Sequence, residues 1–201
     1  MNPGRPPRWA GLVPLVTGVS YLVLEAVAAA AWTNPSYRYA VDYISDLGAA
    51  GSPSAAVMNT AFVVQGLGFL VFGLVVARHA GGVRRYLLLA LTTAHAVGNV
   101  LVAAFPSSSG SGFHLVGAVL AIAGGNAAAF TGSLGPARWL APLPVLGLLC
   151  VPLIGRSEFH GLWERGSVYS ITLWEIAFGV VLLLADRRER SGRRLGESAA
   201  L

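Results

Sequence analysis

The sequence predicts an all-α, polytopic membrane protein whose six transmembrane helices form one bundle. Of its 201 residues, 55% are hydrophobic and only 11% are charged, whereas a soluble domain carries about a quarter charged residues. The apolar residues fall into six segments, each close to the ~20 needed to cross a hydrocarbon core about 30 Å thick. Backbone polar groups in lipid have to be satisfied within their own segment, so these are helices rather than strands. The arginines are also partitioned. Arg5, Arg8, Arg78, Arg84, Arg85, Arg138 and the five of the C-terminal tail fall on one side, 11 in all, against Arg38, Arg156 and Arg165 on the other. Basic residues favour the cytoplasmic side, so both termini are expected inside and the loops at 33–51, 105–113 and 155–166 outside, in the cell membrane.

Taken in order, residues 1–8 are a basic, proline-rich lead. The first helix is expected over 9–32, with Trp9 and Trp32 as interface anchors. It is longer than a secretory signal and is read as a retained helix. After the loop at 33–51, Ser52-Pro53 reads as a cap followed by proline at the first helical position, opening a second helix over 53–78. A basic turn leads to a third helix over 86–104. Phe105-Pro106-Ser107-Ser108-Ser109-Gly110 breaks the chain, and a fourth helix follows over 114–134. Its Gly117, Ala121 and Gly125 form a small-residue face that lets another helix approach closely, which places it near the bundle centre. Gly135-Pro136 is a tight turn. The fifth helix, 137–154, contains Pro142, Pro144 and Pro152 and is predicted to be kinked or irregular. A polar loop at 155–166 precedes the sixth helix over 167–185, and 186–201 forms a charged cytoplasmic tail. Cys150, the single cysteine, lies in an apolar run and reads as a packing residue.

Polar residues inside these segments are the candidates for function. Glu25 lies roughly 10 Å below the outer end of the first helix. Thr17, Tyr21 and Glu25 share one helical face, as do Thr92, His95 and Asn99 on the third helix. Thr172 and Glu175 stand one turn apart on the sixth. Asn59 and His114 sit near the outer ends of the second and fourth helices, and the outer loops add Asp42, Asp46, Glu158, His160, Glu164 and Arg165. An ionised carboxylate in hydrocarbon costs at least about 2.5 kcal/mol, so Glu25 and Glu175 have to face the interior, pair, or carry a proton. The pattern predicts an outward-opening polar pocket lined by Glu25, Asn59, His95, Asn99, His160, Glu164, Arg165 and Glu175. A plainer account runs beside it. Intramembrane His and Asn side chains more often join helices, at about 0.6 kcal/mol per bond, and loop acids are usually just solvated.

Several chemistries are excluded by pattern. No two histidines stand one helical turn apart and no H-E-x-x-H occurs, so no metal site is expected. There is no G-x-S-x-G, and a chain without lysine carries no Walker-type phosphate loop. Arginines scattered among short loops argue against nucleic acid as a partner.

The longest outer loop contains Tyr43-Ile44-Ser45-Asp46-Leu47-Gly48. Asp46 supports two readings. It can pin a turn by accepting backbone N–H bonds, or it can stand over the pocket beside His114 or His160 as an acid/base pair. This hexapeptide, followed by Ser52-Pro53 and Asn59, resembles the bacterial and archaeal membrane family called domain of unknown function 998. Phe105-Pro106, His114 and the stretch from Gly161 to Arg165 also look like that family, so the resemblance covers nearly the whole chain. A similar Ile-Ser-Asp-x-Gly element marks the eukaryotic DRAM-type six-helix proteins and relatives in GPI-anchor lipid remodelling. The resemblance implies six helices and an outward-facing signature loop, and no settled activity.

Two functional classes follow. One is a protein that binds or modifies an outer-leaflet lipid, with Asp46 and His114 as catalytic candidates and membrane lipid as the partner. The other is a non-enzymatic carrier, sensor or partner subunit that uses Glu25 and Glu175 for a proton or cation.

Overall fold

The computed structural model describes residues 6–135 and 137–198, with the side chains of Arg8 and 185–198 outside the description. Residues 1–5 of the basic lead, Pro136 of the expected tight turn and 199–201 of the tail lie outside the described residues. The described chain is helical, without strands beyond an isolated bridge between Thr33 and Ser36. Its α-helices are α1 (Leu12–Ala30), α2 (Ala55–Arg78), α3 (Gly82–Ala104), α4 (Gly112–Ser133), α5 (Pro142–Cys150) and α6 (His160–Ser198). Five segments are long and apolar enough to cross a membrane: Trp9–Ala30, Ala55–Arg78, Gly82–Ala104, Gly112–Ser133 and His160–Leu184. The sixth apolar segment, Arg138–Leu153, is shorter.

Each helix packs on the next in sequence, and α6 closes the ring against α1. Hydrogen bonds identify the two ends. At one end, Trp32 Nε1 donates to Ser52 Oγ at 3.0 Å, Ala50 N to Ser108 Oγ at 2.9 Å, and Gly161 N to Val41 O at 3.2 Å. The starts of α2, α4 and α6 therefore gather around the 33–51 loop. At the opposite end, Arg84 of α3 donates to Thr131 O at 3.1 Å and to Gly132 O at 2.9 Å in the last turn of α4. Since α4 ends far from the loop and α6 begins beside it, Arg138–Leu153 runs back along the bundle. Proline explains its form: 3-10 turns at Arg138–Leu140 and Val151–Leu153 flank α5, with Pro142 in the first turn of α5 and Pro152 inside the second 3-10 turn. A 3-10 turn rises about 2.0 Å per residue against about 1.5 Å in an α-helix, so the segment covers more height than its length suggests.

The polarity of the bundle is inverted relative to a soluble protein. Val16, Val19, Val23 and Val27 form an exposed apolar stripe on α1, while Glu25, Gln65, His95, Asn99, Asn126 and Glu175 are buried. Two apolar clusters fill the ends. One stacks Phe69, Phe72, Trp174 and Phe178; the other packs Tyr21, Met58 and Phe62 beneath Ile44 and Leu47 of the loop. Cys150 is buried against the α6 backbone at Gly166, in a packing role.

Four boundaries differ from expectation. The third helix begins at Gly82, not 86, so Arg84 and Arg85 of the expected basic turn lie in its first turn. The sixth helix begins at His160, not 167, because its polar first turns are buried against the 33–51 loop instead of facing water. It also continues through Ser198, so most of the expected loose tail is helical backbone. Ser52 is not the helix cap: Ser54 holds that position without a side-chain cap bond. Ser52 Oγ instead donates to Leu47 O at 2.7 Å and holds the Trp32 indole.

Candidate functional site

The polar centre of the loop end is Arg165, in the second turn of α6. Its Nε donates to Glu25 Oε1 at 3.1 Å, and its Nη2 lies 3.0 Å from the same oxygen. Nη1 donates to the carbonyls of Tyr39, Asp42 and Gly161 at 2.6, 3.1 and 3.2 Å. Nη2 also donates to the Tyr37 hydroxyl. The guanidinium lies over the Tyr37 and Tyr39 rings, 5.2 and 4.7 Å from their centroids, as cation–π attraction favours. Tyr169 completes the knot, donating to Glu25 Oε1 at 3.1 Å. The ion pair is almost wholly buried, with side-chain exposures of 7% and 1%. A bare acid on α1 is thereby paired, and loop, α1 and α6 are joined through one side chain. Gly161 allows the contact: a Cβ there would meet Asp42 O at 2.3 Å.

Tyr37 passes the contact into the loop by donating to Tyr43 O at 2.8 Å. Burial pushes its phenol up, against the pull of Arg165, so it remains a neutral donor. Partial burial also pushes the Asp42 carboxyl up, but hydrogen bonds from the Arg38 side chain and backbone outweigh it and hold the carboxyl below its ordinary value. Asp42 is therefore an ionised loop staple, 2.9 Å from Arg38 Nη2.

Asp46 lies in a short 3-10 turn, Ile44–Gly48. Its Oδ2 accepts from Tyr43 N at 3.1 Å and its Oδ1 from Ser107 Oγ at 3.3 Å. Both oxygens are thus occupied in holding the turn and clipping it to the 105–113 loop. No hydrogen bond joins Asp46 to His114 or His160 among the described residues. His114 Nδ1–H donates to Phe105 O at 2.9 Å, and His160 stacks on Tyr43 with ring centroids 5.0 Å apart. The acid that reaches the signature turn from the bundle is Glu164, whose Oε2 accepts from Ile44 N at 2.5 Å. Asn59 supports the same turn by donating to Gly48 O at 3.1 Å.

Two neighbouring spaces lie beneath this turn. A cavity of about 40 Å³ in the middle of the ring is lined by Tyr21, Ser45, Gln65, His95, Asn99, His114 and Glu164, with apolar neighbours. A cleft of about 440 Å³ runs between α4 and the end of the α5 segment. Ser45, His114, Ala118, Ile122 and Glu164 line both. The cleft is apolar along Leu115, Val119, Ile122, Val151 and Ile154, and polar at Tyr43, Ser45, Ser107, His114 and Glu164. His95 is fixed in its tautomer: Nδ1–H donates to Ala121 O at 2.7 Å, and Nε2 faces the Asn99 amide at 3.2 Å. With Nδ1 of His114 similarly held, its Nε2 is left for the cavity.

Of the residues expected to line a pocket, His95, Asn99 and Glu164 are brought together, and the catalytic candidate His114 lies with them. Glu25 and Arg165 neutralise each other beside it, Asn59 and His160 support the loop, and Glu175 is buried deeper; none of these five lines either space. Ser45 and Gln65 line the cavity and were not singled out by sequence reasoning. Gln65, the chain's sole glutamine, had an available signal: an amide in the middle of an apolar segment needs a partner. No group of three or more His, Cys, Asp or Glu suited to a metal occurs among the described residues.

An apolar, multi-helix bundle with its polar groups turned inward defines the chain as a multi-pass membrane protein. It belongs to the family described as Protein of unknown function (DUF998), whose model matches residues 15–181. No curated protein and no solved structure matches the chain.

Proposed function

We propose that this is a six-span protein of the cell membrane, with the 33–51 loop outside and the termini in the cytoplasm, that binds an amphiphile from the outer leaflet. The observation that carries the reading is the cleft between α4 and the α5 segment. Its volume lies within the range of about 300–1,000 Å³ common for small-molecule sites. Its long wall is apolar and one end carries hydroxyls, an imidazole and a carboxylate, the polarity of a lipid chain below its headgroup. Leu115 and Val119 on its rim are exposed, so the cleft faces surrounding lipid. Among the described residues no arginine lines it, and Arg165 is fully engaged elsewhere. A phosphate would meet the Glu164 carboxylate with no arginine or lysine to balance it, so the favoured headgroup is phosphate-free and hydroxyl-bearing, as in a mono- or diacylglycerol. His114 and Glu164 are the titratable groups lining both spaces, so proton transfer at the headgroup falls to them rather than to Asp46.

Purified protein is expected to retain diacylglycerol in preference to phosphatidylglycerol when mixed detergent–lipid micelles are exchanged and bound lipid is read by mass spectrometry. Ala118→Trp, which fills the space shared by cavity and cleft, should remove the retained lipid. Equal retention of both lipids, or retention unchanged in Ala118→Trp, rejects the reading.

The orientation has its own check. Ser109 is exposed at the loop end, and a Cβ at Gly81, before α3 at the other end, meets nothing within 4 Å. Ser109→Cys should react with an impermeant thiol reagent from outside intact cells, and Gly81→Cys only after permeabilisation. Cys150, being buried, gives little background. Labelling of both positions from one side rejects the proposed topology.

A further inference from the structure

Glu175 differs from the other buried acid. Glu25 is held by Arg165 and Tyr169, whereas Glu175, with 0% of its surface exposed, has one partner, the Gln65 side-chain amide, which donates to its Oε2. Glu175 Oε1 and Gln65 Oε1 are both buried without a hydrogen-bond donor. Two acceptors cannot satisfy each other, and an orphaned buried polar group is costly, more so when charged. A single hydrogen on Glu175 Oε1 resolves both deficits. The acid O–H then donates to Gln65 Oε1 while the amide N–H donates to Glu175 Oε2, closing a neutral, reciprocal acid–amide pair.

The described residues around the pair supply no alternative counter-charge. On α1, Glu25 is occupied by Arg165, and Tyr21 is a neutral phenol. On α2, Gln65 is the polar neighbour, and Arg78 lies at the far end. His95 of α3 is bonded to Ala121 O and Asn99, and His114 of α4 to Phe105 O. Cys150 of α5 packs at Gly166. On α6 itself, Tyr169 bonds Glu25, and Glu164 and Arg165 stand about 15 Å or more along the helix from Glu175. Gln65 also lines the central cavity with His95 and Asn99, so the pair touches the polar interior on one side and is sealed by packing on the others.

We propose that Glu175 and Gln65 form a proton-binding site in the middle of the membrane, occupied in the resting protein and exchanging its proton with the central cavity through the Gln65 amide. The ligand is the proton itself. This does not depend on the lipid reading, since neither residue lines the cleft.

Dicyclohexylcarbodiimide, an apolar reagent that modifies protonated carboxyl groups, provides the test on the full-length protein in membranes. At about neutral pH, mass spectrometry of peptides should locate the adduct on Glu175 and not on the ion-paired Glu25. Absence of label on Glu175, or label on Glu25 in its place, overturns the proposal. Infrared spectroscopy adds a measurement without chemical modification. A protonated-carboxyl C=O band should be present, be lost in Glu175→Gln, and shift within minutes in D₂O. A band that stays put in D₂O identifies a sealed structural acid and overturns the link to the cavity. Glu175→Gln is isosteric with the neutral acid and can form the same reciprocal pair, so it should melt within about 4 °C of the parent. Gln65→Leu removes the exchange partner without touching the carboxyl. It should keep the C=O band and slow its D₂O shift at least tenfold; an unchanged rate counts against the Gln65 route.

Discussion

Arg165→Met is expected to destabilise the protein by about 3–5 kcal/mol, the range for removing one partner of a buried ion pair. The loss has two parts. Glu25 is left in the bundle with only the Tyr169 hydroxyl for company, an uncompensated charge at hydrocarbon depth. The carbonyls of Tyr39 and Asp42 and the Tyr37 hydroxyl lose their donor together, so the 33–51 loop is released from α6. Arg165→Lys should fall between parent and methionine variant. A lysine keeps the charge as a single compact point, but cannot present a planar fork to α1 and the loop at once. The double variant Arg165→Met with Glu25→Leu should recover the part due to the stranded acid and not the part due to the loop. Thermal unfolding in detergent, followed by tryptophan fluorescence, gives the order: parent, Arg165→Lys, then Arg165→Met, with the double variant above Arg165→Met. If Arg165→Met melts with the parent, the knot does not hold the bundle mouth.

That knot also shows where sequence reading stops. The apolar segments, the irregular fifth helix and the small-residue face of α4 were legible because each follows from composition or spacing within one stretch, but α4 is one wall of the ring and not its centre as expected. The burial of Glu25 and Glu175 was legible for a similar reason: an acid in an apolar run has few tolerable environments. The pairing of Glu25 with Arg165 was not, because the two lie 140 positions apart and several cations were equally eligible. The start of α6 was misplaced for a more specific reason. Ser157, Glu158, His160, Glu164 and Arg165 read as a polar loop, yet Glu164 and Arg165 bind largely to backbone atoms: Ile44 N, Tyr39 O and Asp42 O. Backbone partners leave no mark in side-chain chemistry. Asp46 drew attention by its unusual setting, and one of its oxygens holds the turn that creates that setting while the other clips the turn to Ser107. His114 and Glu164 were candidates from the sequence, but that both line the same two spaces follows only from the convergence of α4, α6 and the loop.

Gly98→Val should be the most damaging substitution outside the polar knot, with an expected cost above about 3 kcal/mol, at the upper end for overpacking. At this point α3 and α4 meet backbone to backbone. A Cβ at Gly98 would stand 2.3 Å from Ala121 N and 2.6 Å from Gly117 O, and one at Gly117 would stand 3.0 Å from Gly98 O. These are main-chain atoms of a regular helix, so no rotamer change relieves the clash and the two helices have to separate. Separation reaches the candidate site directly. His95, one turn before Gly98 on α3, donates to Ala121 O on α4 at 2.7 Å. Gly125 leaves room for that ring, since a Cβ there would lie 2.5 Å from His95 Nδ1. Moving the helices apart breaks this bond and opens the cavity wall formed by Asn99, Val102, Ala118 and Ala121. Gly112→Ala is the matched control. Gly112 opens α4, and a Cβ there meets nothing within 4 Å, so the substitution should be neutral or stabilise by up to about 1 kcal/mol. The two variants differ above all in whether a neighbouring backbone occupies the position of the new Cβ. Equal melting temperatures for both would show that α3 and α4 do not cross in contact at Gly98, and the wall of the central cavity would have to be drawn elsewhere.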